Sequence, residues 1–297
     1  MPNLISIGQI IDRTWEIYSK NFKPLMRISA WGFLVGVFVL LRLFLLPGGE
    51  TGAIASIVGG NPDQAVAIGF AVALVLSVIA IPVASIWIYM NLVRGVDNHI
   101  NKKSYTFKEL SSRSWSDFFS YLWVMILKSL ASVTPVLLLI PGGAILVYTL
   151  VSGNINIAFN SIGLLLSFVG AIAAAILAIW LSVRLAFAGY SMLLDDDRGT
   201  LALKKSFRVT DGRFWASLWR LLIPKVVFGA AVVLVEILLN IFTPLLISGF
   251  YNLGENFGLY AGMVITVGLT TGLRVLYPPL FIIADQLLYG SLKSTRQ

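Results

Sequence analysis

The chain of 297 residues contains no cysteine. That excludes disulfides, thiolate metal sites, iron–sulfur clusters and cysteine nucleophiles. Histidine is almost absent as well: His99 stands alone, in a polar connecting segment. One histidine cannot build a zinc site, and no H-E-x-x-H occurs. Charge is scarce, at 12% of residues, where soluble domains carry roughly 25%. Neither a G-x-x-x-x-G-K-[ST] loop nor a G-x-G-x-x-G fingerprint is present, so nucleotide binding has no support. The acidic motif of CDP-alcohol transferases, the rhomboid G-x-S-G and the presenilin-like G-x-G-D are missing too. The expectation is a non-catalytic protein with no cofactor and no metal.

What the chain has in excess is apolar surface. Hydrophobic residues make up 58% of it, and the mean hydropathy is +0.86. An ordinary soluble domain and a disordered chain are both ruled out. A hydrocarbon core of ~30 Å needs about 20 helical residues. Six stretches meet that requirement: 26–46, 65–92, 118–151, 161–194, 214–247 and 258–289. The predicted fold class is all-α integral membrane, a single polytopic domain over 1–297 with six transmembrane helices. Kinks are expected at Pro82, Pro135, Pro141, Pro224, Pro244 and the pair Pro278-Pro279.

The net charge of +8 is distributed by segment. Arg13, Lys20, Lys23 and Arg27 precede the first span; Arg94, Lys102, Lys103, Lys108 and Arg113 cluster between the second and third. Arg198, Lys204, Lys205, Arg208, Arg213 and Arg220 lie between the fourth and fifth, and Lys293 and Arg296 in the tail. The alternate connections 47–64, 152–160 and 248–257 hold no Lys or Arg. By the positive-inside rule both termini are expected in the cytoplasm, with the protein in a prokaryotic plasma membrane and no nucleic-acid partner. Trp15, Trp31, Trp87, Trp115, Trp123, Trp215 and Trp219 fall at the same span ends, as interfacial anchors do. A polar stretch of about 25 residues precedes the first span, which reads as an uncleaved anchor.

Three spans are preceded by amphipathic segments. In 7–22, Ile7, Ile10, Ile11, Trp15, Tyr18 and Phe22 share a helical face, which predicts a helix lying in the cytoplasmic interface. A second, with Thr200 as N-cap and Gly212 as terminator, carries Lys204, Lys205 and Arg208. A weaker third contains Phe107, Leu110 and Trp115. Each has a hydroxyl residue before an aromatic: Thr14-Trp15, Ser114-Trp115 and Ser206-Phe207. A threefold repeat of interfacial helix, span, loop and span explains this. So does the general tendency of inward span ends to carry basic, aromatic lead-ins.

The segment 185–215 reads L-A-F-A-G-Y-S-M-L-L-D-D-D-R-G-T-L-A-L-K-K-S-F-R-V-T-D-G-R-F-W. Its acidic span end followed by Ala202, Leu203, Lys204, Ser206, Thr210, Gly212, Phe214 and Trp215 resembles a prokaryotic six-span family. That family includes the membrane domain attached to some glycerophosphoryl diester phosphodiesterases. The opening I-G-Q-I-I-D-R-T-W-E-I-Y-S-K-N-F and the I-P-G ending at Gly142 are similar to the same pattern, while 143–177 is longer than the pattern allows. The resemblance implies an all-helical membrane domain associated with lipid metabolism. It does not imply phosphodiesterase activity, which belongs to a separate soluble module with catalytic histidines and metal-binding carboxylates.

Several charges fall within the spans. Arg42, Arg184, Lys225 and Asp285 lie near span ends, within snorkelling reach of the interface. Lys128, Glu236 and Arg274 lie deeper and form the predicted intramembrane polar site. A Glu236–Arg274 pair is one arrangement; a polar substrate pathway is the other. Asp195-Asp196-Asp197 reads as a solvated helix end, since helical neighbours point apart and no second acidic cluster accompanies them. Gly258-x-x-x-Gly262 and Gly268-x-x-x-Gly272 permit close helix contact, within one chain or in a homodimer.

The expected function is an accessory protein or carrier in membrane lipid or envelope handling. Its partners would be membrane lipids, with Lys204, Lys205 and Arg208 on anionic headgroups, and a membrane protein partner. The alternatives are a small-solute transporter or channel using Lys128, Glu236 and Arg274, and a lipid-modifying enzyme.

Overall fold

The computed structural model describes residues 4–46, 64–153, 157–252 and 254–295. Of the expected basic-free connection 47–64, residues 47–63 lie outside the described residues, as does the tail Arg296. Every regular element described is helical: α1 (Ile7–Lys20), α2 (Phe22–Ser29), α3 (Gly32–Leu45), α4 (Gln64–Val75), α5 (Ile81–Ile100), α6 (Phe107–Ser116) and α7 (Phe118–Val133), then α8 (Ile140–Ser152), α9 (Ile157–Arg184), α10 (Ala188–Asp195), α11 (Thr200–Thr210), α12 (Phe214–Tyr251), α13 (Glu255–Leu276) and α14 (Pro278–Ser294). Six stretches are long and apolar enough to cross a membrane: Phe22–Leu45, Val66–Ile100, Phe118–Ser152, Ile157–Asp195, Phe214–Tyr251 and Phe257–Ser294. They match the six stretches expected from the sequence to within a few residues at most ends. In each, only 11–17% of the most apolar window is buried inside the protein. A water-soluble fold would hide such surface; here it faces outward, as a lipid-solvated protein requires. The chain is a multi-pass membrane protein.

The prolines act in different ways. A π-helical turn, Leu76–Ala80, ends just before Pro82, and a 3-10 turn, Thr134–Leu139, contains Pro135. Pro141 and Pro278 sit at the starts of α8 and α14, where the missing N–H has no helical partner to lose. Pro224 and Pro244 instead stay inside the continuous helix α12.

The lead-in helices α1, α6 and α11 share one buried pattern at positions i, i+4 and i+8. It comprises Ile10, Thr14 and Tyr18 in α1, Leu110, Ser114 and Phe118 running from α6, and Ala202, Ser206 and Thr210 in α11. The central hydroxyl residue is 0% exposed in all three. The aromatic that follows stays outside in two of them, with Trp15 58% and Trp115 52% exposed. Ser6 with Gln9 and Thr106 with Glu109 form reciprocal capping boxes that fix the starts of α1 and α6. For α11 the expected cap differs. Thr200 is the first helical residue, and Gly199, at φ +55°, makes the turn into it. With its ψ at −127°, that is a conformation that only glycine takes without strain. Gly212, at φ +65°, follows the end of the helix as expected.

Contacts divide the chain into two compact units. The first comprises Met1–Ile5, Phe119–Leu221 and Leu288–Gln297; the second, Ser6–Phe118 and Leu222–Leu287. In the first, α8 and α9 form a tight hairpin. A Cβ on Gly142 would strike the Ser167 backbone, and one on Gly170 would come within 2.5 Å of the Leu138 carbonyl oxygen. The buried core of this unit gathers around Leu185, Phe187, Met192, Leu193 and Leu288. The N-terminal strand of chain is tied in by hydrogen bonds. Ile5 donates its N–H to Ser291 Oγ (2.9 Å), and Arg220 Nε donates to the Ile5 carbonyl (2.7 Å).

In the second unit α3 packs along α13. Gly32 and Gly36, four residues apart, provide the close approach: a Cβ on Gly36 would lie 2.7 Å from Thr271 Oγ1, and one on Gly32 3.0 Å from Val275. Of the glycine pairs singled out in the sequence, Gly258 and Gly262 pack against Tyr251 and Ile247 of α12, whereas Gly268 and Gly272 meet nothing. An aromatic cluster closes one end. Trp31 and Phe107 lie parallel at 5.9 Å, and Trp87 stands edge-on to both. Trp87 is thus 9% exposed, buried beneath its neighbours instead of acting as a free interfacial anchor.

Candidate functional site

Two arrangements of polar side chains stand out, one in each unit. In the first, the fourth span breaks after Arg184 and resumes as α10. A helix end leaves carbonyls and N–H groups without helical partners. Ser206 of α11 meets both needs, donating to the Arg184 carbonyl (2.6 Å) and accepting from the Phe187 N–H (3.1 Å). Arg184 reaches the Phe207 carbonyl and Asp211, each at 3.2 Å, and lies over the Trp180 ring.

At the far end of α10 the aspartate run is drawn into an ion cluster. Lys205 pairs with Asp195 (2.8 Å) and Asp197 (2.7 Å), and Lys293 pairs with Asp195 (2.6 Å). Tyr289 donates to Asp195 at 2.5 Å, and Ser191 to Asp197 at 2.7 Å. The Asp195 side chain is only 11% exposed. It is therefore not the solvated helix end expected from the sequence, because α11 folds back and brings Lys205 onto it. Asp196 takes a left-handed conformation, φ +57°, which separates it from its neighbours. Both Asp195 oxygens are occupied, and no group of three or more metal-ligating side chains forms among the described residues. Burial pulls the Lys205 ammonium toward its neutral form. Hydrogen bonds and charge attraction from Asp195 and Asp197 outweigh that and hold its pKa above the usual lysine value.

In the second unit a cavity of about 450 Å³ opens between α3, α5 and α13. Val35, Val39, Ile88, Leu92 and Val267 supply its apolar walls, and Arg274 lies at its edge. Of the hydroxyls that line it, Ser29 donates to the Val275 carbonyl and Thr270 to the Thr266 carbonyl at 2.8 Å, so these two are engaged with backbone. Arg274 is exposed and forms no ion pair among the described residues.

The sequence-predicted residues divide accordingly. Lys204 and Arg208 are exposed on α11, while Lys205 is turned onto Asp195 and Asp197. Lys128 is half-buried in the first unit; Glu236 and Arg274, both exposed, belong to the second. No ion pair joins Glu236 to Arg274. The physical reason is packing: α13 touches α12 near their shared turn, through Gly258 and Gly262, and otherwise lies along α3. Lys225 and Asp285, expected to snorkel separately, pair at 3.1 Å. The sequence reading missed the buried pair Arg94–Asp117 and the Gly32-x-x-x-Gly36 contact. The second carries a readable signal, a small-residue spacing of four at the start of a span.

No protein-family model, curated protein or solved structure matches this chain.

Proposed function

We propose that the protein is a non-catalytic membrane protein that handles lipids, as a carrier or an accessory to a membrane partner, with its basic segments binding anionic headgroups. In this reading both termini are cytoplasmic, the membrane is a prokaryotic plasma membrane, and α1, α6 and α11 lie at its inner interface. A relation to the membrane domain of glycerophosphoryl diester phosphodiesterases is part of the same reading and rests on the pattern in 185–215.

The observation that carries it is the outer stripe of α11. Leu201, Lys204 and Arg208, at i, i+3 and i+7, share one side of the helix. Leu201 is 60% exposed, and Lys204 and Arg208 are exposed beside it. The opposite side, Ala202, Ser206, Val209 and Thr210, is buried in the protein. An exposed leucine followed along one stripe by two cations suits the boundary of acyl chains and phosphates. Each cation contributes about 1 kcal/mol near an anionic surface. Lys205 contributes less directly, since its ammonium is already satisfied.

The test is to isolate the protein in native-lipid nanodiscs and identify the co-purifying lipids by mass spectrometry. Enrichment of an anionic lipid, reduced in Lys204→Gln/Arg208→Gln, is the expected result. Bulk lipid composition with no partner protein would overturn the reading, and transport assays on Lys128, Glu236 and Arg274 variants would then come first.

A further inference from the structure

Arg94, Arg184 and Arg274 are spaced 90 residues apart: Arg94 near the end of α5, Arg184 at the end of α9 and Arg274 near the end of α13. Two of them pair with a carboxylate from a lead-in helix, Arg94 with a buried one and Arg184 with an exposed one. Arg94 bonds Ser114 (3.2 Å) and Asp117 (2.5 Å), both from α6 and its C-cap. Arg184 bonds the Phe207 carbonyl and Asp211 of α11 and its C-cap. In each case a lead-in helix with a fully buried hydroxyl supplies a carboxylate to the arginine.

For Arg274 the helix in that role is α1. Tyr18 donates to the Leu276 carbonyl at 3.1 Å, just beyond the arginine. Counted from the buried hydroxyls Ser114 and Ser206, the carboxylates come three and five residues later, at Asp117 and Asp211. The same steps from Thr14 arrive at Ile17 and Ser19. The helix supplies no carboxylate there, and its Glu16 pairs with Lys20. Thr14 Oγ1 is itself buried without a partner. The first lead-in thus meets the end of α13 through Tyr18, with a buried hydroxyl but no carboxylate at the corresponding steps.

The missing counter-ion coincides with the cavity. Arg274 follows Phe257, where the sixth span begins, by 17 residues. At ~1.5 Å per residue that is about 26 Å, close to the far edge of a hydrocarbon layer of ~30 Å. The groove therefore runs from the headgroup level, at Arg274 and Ser29, into acyl-chain depth, at Val39 and Val267. Its volume lies within the roughly 300–1,000 Å³ of ligand pockets. No residue lining it is acidic, so an ammonium headgroup finds no counter-charge. A guanidinium, by contrast, binds a phosphate through paired N–H donors.

We propose that this groove holds one anionic phospholipid, with its phosphate on Arg274 and an acyl chain along Val35, Val39, Ile88 and Val267. The lipid phosphate takes the place that Asp117 and Asp211 fill for the other two arginines. This site rests on the lipid-handling reading above but uses none of its surface residues.

The experiment is native mass spectrometry of the full chain released from nanodiscs of phosphatidylcholine doped with phosphatidylglycerol. The wild type is expected to retain one phosphatidylglycerol in preference to phosphatidylcholine. Arg274→Gln should weaken that retention by roughly tenfold to a hundredfold. Ser19→Asp, which puts a carboxylate five residues after Thr14 as Asp211 stands five after Ser206, should compete the lipid away while leaving the arginine in place. Lys204→Gln/Arg208→Gln should leave the single retained lipid unchanged. Equal retention of the two lipids by the wild type, or full retention by Arg274→Gln, overturns the groove. Loss in the Lys204/Arg208 variant alone overturns it too, but leaves the surface headgroup reading standing. Absence of any anionic enrichment overturns both.

Discussion

Arg94 and Asp117 meet at 2.5 Å, with side chains only 6% and 10% exposed. Ser114 accepts a second bond from the guanidinium and donates to Asn91 Oδ1, both at 3.2 Å, so a buried polar network joins α5 and α6. Buried charges of this kind gain little against an apolar pair of equal volume, yet are costly to break singly.

Asp117→Asn is therefore expected to destabilise the protein by about 3–5 kcal/mol, by leaving the buried guanidinium short of its counter-charge. The double variant Arg94→Met/Asp117→Leu should lose much less. Thermal unfolding in nanodiscs compares them. A single variant as stable as the wild type would show that water reaches the pair.

Glycines at helix contacts should respond according to what they face. Gly142→Ala and Gly170→Ala drive a methyl into the backbone of the facing helix, and each should cost about 1–3 kcal/mol. Gly268→Ala and Gly272→Ala meet open space and should be neutral, or stabilising by up to about 1 kcal/mol. Unfolding midpoints of the four single variants decide this. Loss of a dimer in cross-linking of the Gly268 or Gly272 variants would reveal a second use for that face.

The six spans and the three amphipathic lead-ins were legible because length, hydropathy and helical period are local properties. The partners of each helix were not. Gly258-x-x-x-Gly262 and Gly268-x-x-x-Gly272 read alike, yet one pair packs on α12 and the other meets nothing. Lys204 and Lys205 are adjacent and equally basic. The 100° turn between neighbours on a helix sends one outward and the other onto Asp195 and Asp197. The Glu236–Arg274 pairing assumed that consecutive spans pack along their length, whereas α13 leaves α12 for α3. Of the groove, only Arg274 and Pro278 were singled out, because its apolar walls resemble every other span residue.

The ion cluster around Lys205 gives a pH dependence with a definite sign. Its pKa in the fold lies above the usual 10.5, so its contribution is fully present below that value and is lost as pH rises through the folded value. Stability should hold across neutral and mildly alkaline pH, then fall. Lys205→Met should be less stable at neutral pH and show a shallower alkaline decline. Circular dichroism melts across an alkaline pH series test both. An identical decline in the variant would assign the effect to other groups.

The capping boxes predict local effects. Ser6→Ala and Thr106→Ala each remove a side-chain acceptor for the N–H three residues on, at Gln9 and Glu109. Each should cost about 1 kcal/mol. Amide exchange should rise first in α1 for Ser6→Ala and in α6 for Thr106→Ala. Equal exchange throughout the chain would mean the caps do not set local opening.

So little of each apolar window being buried has a mechanical consequence. Where α-helical midsections touch lipid on most sides, lateral pressure in the bilayer supplies much of what side-chain interlock supplies in a soluble core. The firmest internal packing lies at Ile10, Leu25, Met90 and Val93 in one unit and at Phe187, Met192, Leu193 and Leu288 in the other, all at span ends or in lead-in helices. Each unit thus has a stiff footing that carries long, lipid-steered struts. Spans longer than the hydrocarbon layer meet its thickness by tilting, kinking or deforming the bilayer, so the acyl chains around the protein share with its own packing in deciding its geometry.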